Sequence, residues 1–246
     1  MLDAAADLLL GGRCAGCERP GRVLCRDCAA ALPDSARPAW PTPVPAGLVE
    51  PWAAAAYDGL VRSLVLGLKE RRLLGLRRPL ADLLATAASA AVGSAVPAGS
   101  VALVPVPSRT ATVRERGHDP TYAVTAGAAA RLRAAGVDAV AVRMLRTRPG
   151  VVDQAGLDAV ARSANLTGSM ACTNASLRRL ARRRPRVSVV VCDDVLTTGS
   201  TAREAQRALE AVGLHVAAVA AVAATRRRFP APRQGPSPGR AEAPYR

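Results

Sequence analysis

Val189-Val190-Val191-Cys192-Asp193-Asp194-Val195-Leu196-Thr197-Thr198-Gly199-Ser200-Thr201 decides how this chain is read. An apolar run ends in two adjacent carboxylates, and a hydroxyl-rich loop with one glycine leads into a helical pattern. The run fits a strand buried on both faces of a parallel sheet. The loop gathers backbone N–H groups, hydroxyls and a helix N-terminus around one small volume, which is the chemistry of a phosphate cradle. The carboxylates repel a phosphate, so they suit something else: a ribose diol, whose hydroxyls donate to them, or Mg²⁺. Phosphate, diol and metal together point to a phosphorylated ribose. An ordinary strand–turn–helix with a Thr or Ser cap explains neither the two carboxylates nor the four hydroxyls. A Walker loop is excluded, since no G-x-x-x-x-G-K-[ST] occurs and Lys69 is the one lysine in the chain.

Outward from this segment the pattern alternates. Strands are expected at Trp52–Tyr57, Val101–Val104, Val137–Leu145, Ser169–Cys172, Arg186–Cys192 and Leu214–Ala223. Helices are expected at Leu2–Leu10, Leu60–Glu70, Gly75–Val92, Thr121–Ala135, Ala159–Ala164 and Ser200–Val212. Such alternation predicts an α/β domain with a largely parallel sheet flanked by helices, its ligand sites at the carboxyl ends of the strands. A second strand end, Val104-Pro105-Val106-Pro107-Ser108-Arg109, is followed by Arg114-Glu115-Arg116-Gly117. Val106, Pro107, Ser108 and Arg109 are therefore candidates to face a pyrophosphate opposite the first cradle. Lys69 follows a helical face and reads as a solvated side chain. His118 reads as a polar loop contact or a general base. Arg162 and Asn165 suit a hood over the site or a helix end.

Four cysteines stand together as Cys14-x₂-Cys17-x₇-Cys25-x₂-Cys28. Each pair wraps two thiolates around one ion, and Pro20-Gly21 folds the spacer back, which predicts a closed, structural Cys₄ zinc knuckle. An iron–sulfur centre and a redox dithiol are the alternatives. Cys192 reads as a small core residue.

The net charge of +15 across 246 residues suits an anionic partner or a solvated basic face. Arg178, Arg179, Arg182, Arg183, Arg184 and Arg186 form one cluster, and Arg226–Arg228 open a second. With two Trp, three Tyr and one Phe, the chain offers little for a base-stacking platform. No apolar run reaches the length of a membrane span, and Asp3 and Asp7 spoil a signal peptide, so a soluble cytoplasmic protein is expected. The expected organisation is a knuckle with its leading helix at 1–32, a Pro-rich linker at 33–51, the α/β domain at 52–225, and a disordered basic tail at 226–246.

The strand, acidic pair and T-T-G-S-T loop resemble the phosphoribosyl-diphosphate (PRPP) signature of type I phosphoribosyltransferases. Over roughly residues 8–224 the chain resembles the competence protein F (ComF) family, a zinc-knuckle group with that fold. The resemblance takes in the Cys₄ knuckle, Ala56-Tyr57-Asp58-Gly59, Leu68-Lys69-Glu70-Arg71, Pro105-Val106-Pro107, Arg114-Glu115-Arg116-Gly117, Gln154-Ala155-Gly156-Leu157 and Asn165-Leu166. Two departures stand out: Thr110-Ala111-Thr112 replaces the family's arginine run, and His118-Asp119-Pro120 replaces its F-N-Q. The resemblance implies PRPP or nucleotide binding with Mg²⁺, with Asp193, Asp194 and Arg109 as catalytic residues. The sugar phosphate would be held by Asp193, Asp194, Thr197, Thr198, Gly199, Ser200 and Thr201. It also implies a link to DNA uptake in natural transformation, with single-stranded DNA and a competence helicase as partners. The alternative is a non-catalytic DNA-binding or assembly module.

Overall fold

The computed structural model of the chain describes residues 12–95, 99–108, 117, 119–148 and 168–225. Its centre is β7 (Val187–Leu196), which pairs in parallel with β8 (Val216–Ala224) on one side and β3 (Ser100–Pro105) on the other. Outside these lie β2 (Pro51–Ala56), parallel to β8, and β4 (Ala139–Ala141), parallel to β3. Only β1 (Arg37–Pro38) runs antiparallel, against β2, giving the order β1-β2-β8-β7-β3-β4. The chain is therefore a mixed α/β fold on a mostly parallel six-stranded sheet.

Strand periodicity divides β7 between two cores. Val190 and Cys192 pack with α2 (Gly59–Lys69), α3 (Arg77–Ala95) and α4 (Pro120–Ala134), through Leu64, Leu68, Leu84, Val124 and Leu132. Val189 and Val191 pack on the opposite face with α6 (Ser200–Glu210), through Ala202, Ala205 and Leu209. The unbroken apolar run Val189–Cys192 within β7 is what burial on both faces requires. With so few aromatic side chains, close helix approach replaces bulk. At Gly127 an added Cβ would lie 2.6 Å from Cβ of Ala81, so α3 and α4 meet nearly backbone to backbone.

The N-terminal cysteines form a knuckle closed by α1 (Arg26–Ala30). It docks on the first face of the sheet. Val23 packs against the 3₁₀ turn Leu74–Leu76, and Gly16 leaves room for Leu60 at the start of α2. Residues 33–51, the expected linker, lie against the sheet. They contribute β1, and the Ala46 and Gly47 carbonyls accept hydrogen bonds from Arg203 and Gln206 of α6.

Several expectations need correction. The strand expected over Val137–Leu145 is two: β4, and β5 (Leu145–Thr147), which pairs antiparallel with β6 (Met170–Cys172) in a separate sheet. The break falls where Met144 turns fully inward and Arg143 stacks on Tyr122. Segment Asn174–Arg183, read only as an arginine cluster, is a helix, α5, with Leu180 its buried contact. The central strand runs four residues beyond Cys192, because Val195 and Leu196 still pair with Ala223 and Ala224. The helices expected at Leu2–Leu10 and Ala159–Ala164 lie outside the described residues, as does the tail. Among the described residues no helix is long and apolar enough to cross a membrane.

Candidate functional site

Both carboxylates sit on the last turns of the β7 ladder rather than in the loop after it. Asp193 faces Ala221 of β8 across the ladder, and its side chain is buried. Its Oδ1 accepts the backbone N–H of Asp194 at 2.8 Å. Burial pushes the Asp193 carboxyl well above the usual carboxylate range, the Asp194 charge adds to this, and the Lys69 charge opposes it.

Lys69 is a candidate site residue that the sequence reading did not place there. It is the last residue of α2, and its ammonium forms an ion pair with Oδ2 of Asp194. The side chains are 28% and 12% exposed, so the pair is largely withdrawn from water, not solvated as expected. Among the described residues no hydrogen-bond donor other than this ammonium reaches that buried oxygen. The signal was present but weak. The apolar face of α2 ends at Leu68, so the next residue stands at the helix C-terminus, beside the strand ends.

The loop after β7 turns on Gly199, whose φ of +74° is a left-handed conformation costly for other residues. Space is tight there as well. An added Cβ would lie 3.0 Å from Pro41, 3.1 Å from Leu48 and 3.3 Å from Pro45, all from the proline-rich arm. Thr198 Oγ1 donates to Ser200 Oγ at 3.1 Å and accepts the Ser200 N–H at 3.4 Å. Thr197 is exposed, Thr198 and Thr201 are half-buried, and Ser200 is buried. Gly199 is the N-cap of α6 and has no side chain to cap it, so the following amides of the first turn gain no side-chain acceptor from the cap. This combination can receive an anion at the helix N-terminus.

The second strand end lies beside the first. Pro105 pairs with Cys192, and the Val106 N–H donates to the Cys192 carbonyl at 2.9 Å. Residues Val106–Ser108 thus leave the sheet next to the acidic pair. Ser108 Oγ donates to Asp119 Oδ1 at 3.1 Å, and the same oxygen accepts the Tyr122 N–H, capping α4 with Pro120 at its first turn. Asp119 and Pro120 therefore start a helix and anchor the loop. Pro105, Ser108, Asp119, Arg143 and Thr147 are among the walls of a cavity of about 170 Å³. Arg109, Thr110–Thr112, Arg114–Arg116, His118, Gln154, Arg162 and Asn165 lie outside the described residues.

The four cysteine Sγ atoms all lie within 4.8 Å of one another, with Cys17 and Cys25 sulfurs 3.7 Å apart. Thiolates at about 2.3 Å from one tetrahedral ion stand ~3.8 Å apart, so the cluster has the dimensions of a metal site. Burial alone would raise Cys14, but backbone N–H groups of Cys25, Cys17 and Gly16 outweigh it and bring its pKa to about 6. A hydrogen bond with Cys25, then burial, push Cys28 up to about 12, as expected for thiols sharing one negative charge. Four closely spaced cysteines can thus hold a metal ion. Cys192, by contrast, is fully buried in the strand and its thiol is pushed far up by burial.

No protein-family model matches the chain, and no curated protein matches it. The reading of the site therefore rests on its residues.

Two outcomes follow for the acidic pair. Asn at position 193 retains the acceptor for the Asp194 N–H but carries no charge, so Asp193→Asn raises the ligand-free Tm by about 2–4 °C at pH 8. A carboxyl with a raised folded pKa binds more protons folded than unfolded, so its penalty is absent below about pH 4 and grows as pH rises. The gap between the two proteins therefore closes on acidification, which thermal melts across pH check. Lys69→Met leaves Asp194 unpaired and lowers stability by about 1–3 kcal/mol in urea denaturation. For the cysteines, native mass spectrometry of the full chain finds one tightly held metal ion, and Cys14→Ser loses it.

Proposed function

We propose that this chain is a phosphoribosyltransferase-fold protein of the ComF type whose strand-end site binds PRPP or a nucleotide. The observation that carries the reading is the convergence of three parts at neighbouring strand ends. They are the carboxylates of Asp193 and Asp194, the left-handed turn at Gly199 opening α6, and the loop Val106–Ser108 beside Cys192. In parallel α/β sheets ligands bind in the crevice outside the carboxyl ends of the strands.

In this reading the ribose hydroxyls donate to Asp193 and Asp194. Thr197, Thr198, Gly199, Ser200 and Thr201 take the 5′-phosphate with the first amides of α6. Val106–Ser108, continuing to Arg109, faces the pyrophosphate. The Lys69 ammonium pairs with Asp194 and holds that carboxylate in place, so the site is preorganised for hydroxyl donors rather than for a bare anion. When bound, Mg²⁺ would neutralise charge on the leaving pyrophosphate. In transfer, the bond from C1 to pyrophosphate breaks and one to an acceptor forms, through oxocarbenium character. The protein contributes positioning and charge stabilisation and needs no covalent nucleophile. Cys14, Cys17, Cys25 and Cys28 hold zinc in a closed structural site, since four thiolates leave no open position. The family resemblance connects such a protein with DNA uptake in the cytoplasm.

A second reading, a DNA-binding or assembly module, draws on α5. Arg178, Arg179, Arg182 and Arg183 are all exposed on that helix. Backbone binding by such a face falls steeply with salt, whereas a pocket-bound metabolite is less sensitive.

Calorimetric titration of the zinc-replete protein with PRPP and Mg²⁺ tests the first reading. Saturable binding that is lost in Asp193→Asn/Asp194→Asn is expected. A folded wild type that takes up no PRPP would overturn it and move the weight to the second reading.

A further inference from the structure

We propose that the cleft between α5 and the free edge of β4 is a second ligand site, which takes a nucleoside 5′-monophosphate unit. This inference is independent of the strand-end reading. The cleft encloses about 330 Å³, within the ~300–1,000 Å³ range of small-molecule sites. Val140 and Val142 of the edge strand region and Leu180 of α5 give it an apolar floor. Arg143, Arg179, Arg183 and Arg184 also line it.

These arginines differ in what already holds them. Arg184 is committed to structure, since it pairs with Asp138 and donates to Ser100 Oγ at 3.1 Å. Arg143 holds its guanidinium carbon over the Tyr122 ring, 3.5 Å from its centroid, and among the described residues its one ion pair is a long contact of 3.8 Å with Asp119. Arg179 and Arg183 have no ion pair with any described residue. They stand one helical turn apart on α5, so both reach the same stretch of the cleft. The cleft therefore holds more positive charge than Asp119 and Asp138 answer.

The ligand chemistry follows from this inventory. A bare anion would satisfy Arg179 and Arg183 but leave the apolar floor wet. A purely apolar ligand would desolvate the arginines without pairing them. A phosphate monoester joined to a flat heterocycle uses both parts. The phosphate takes charge-assisted bonds from Arg179 and Arg183, and the ring stacks on the Arg143 guanidinium, which Tyr122 supports. The unit is either a free mononucleotide or the 5′-terminal nucleotide of a strand.

Calorimetry on the full chain, with AMP as the probe, tests this. In Asp193→Asn/Asp194→Asn, which removes any strand-end binding, AMP still binds, and adding Arg179→Gln/Arg183→Gln weakens it by about tenfold or more. Both arginines are exposed, so that variant keeps its circular dichroism spectrum. Adenosine and inorganic phosphate each bind more weakly than AMP by about tenfold or more. A 5′-phosphorylated oligothymidylate that competes with AMP, while its unphosphorylated form does not, assigns the unit to a strand terminus. Competition by neither assigns it to a free mononucleotide. Three results overturn the proposal: no AMP binding, binding lost with the acidic pair but indifferent to Arg179 and Arg183, or competition by the unphosphorylated strand. Phosphate binding as tightly as AMP would also overturn it, because the apolar floor would then contribute nothing.

Discussion

Two carboxylates on consecutive residues at the end of a buried strand are the constraint on which this molecule turns. Like charges so close, one of them buried, oppose folding unless something answers them. Three features do so. The Asp194 N–H reaches back to Asp193, the Lys69 ammonium pairs with Asp194, and the ladder ends within two residues, where the fold opens to a loop. Nothing in packing the sheet requires acids there, since Val195 and Leu196 continue the apolar strand beyond them. A costly arrangement held by dedicated partners is what a binding site for hydroxyl donors would need.

The parts that answer the pair also tie distant segments to it. α2 carries Lys69 at its C-terminus and meets the cysteine knuckle at its N-terminal end through Leu60 and Gly16. The arm that leaves the knuckle reaches the other half of the site, where Pro41, Pro45 and Leu48 close over Gly199. Gln206 of α6 fixes the arm by accepting the Val49 N–H and donating to the Gly47 carbonyl. The N-terminal module is thereby packed against the helix that carries the cation and, through its arm, against the loop of the strand-end site. A change that loosens the knuckle bears on the site through these contacts, without touching a ligand.

Much of this was legible in the sequence for specific reasons. The apolar run Val189–Cys192 has no periodicity, which only burial on both faces explains, and the Cys-x₂-Cys pairs announce their own convergence. What was not legible depended on partners far away in the chain. Lys69 looks solvated because its partner is 125 residues on, at Asp194. The proline run looks like a linker because its contacts are with α6, more than 150 residues later. α5 was hidden by its own arginines, since its apolar stripe is only Leu177 and Leu180, and of these Leu180 alone is buried. The splitting of β4 from β5 turns on the inward swing of Met144, which a run of apolar residues does not reveal.

The most direct test of the strand-end account is amide hydrogen exchange with and without PRPP and Mg²⁺, because it reports where the ligand sits. The account predicts slowed exchange confined to the segment Thr197–Ala202 and to Val106 and Ser108, with the rest of the sheet unchanged. Protection that spares both loops, or that appears only along α5 and β4, would contradict it.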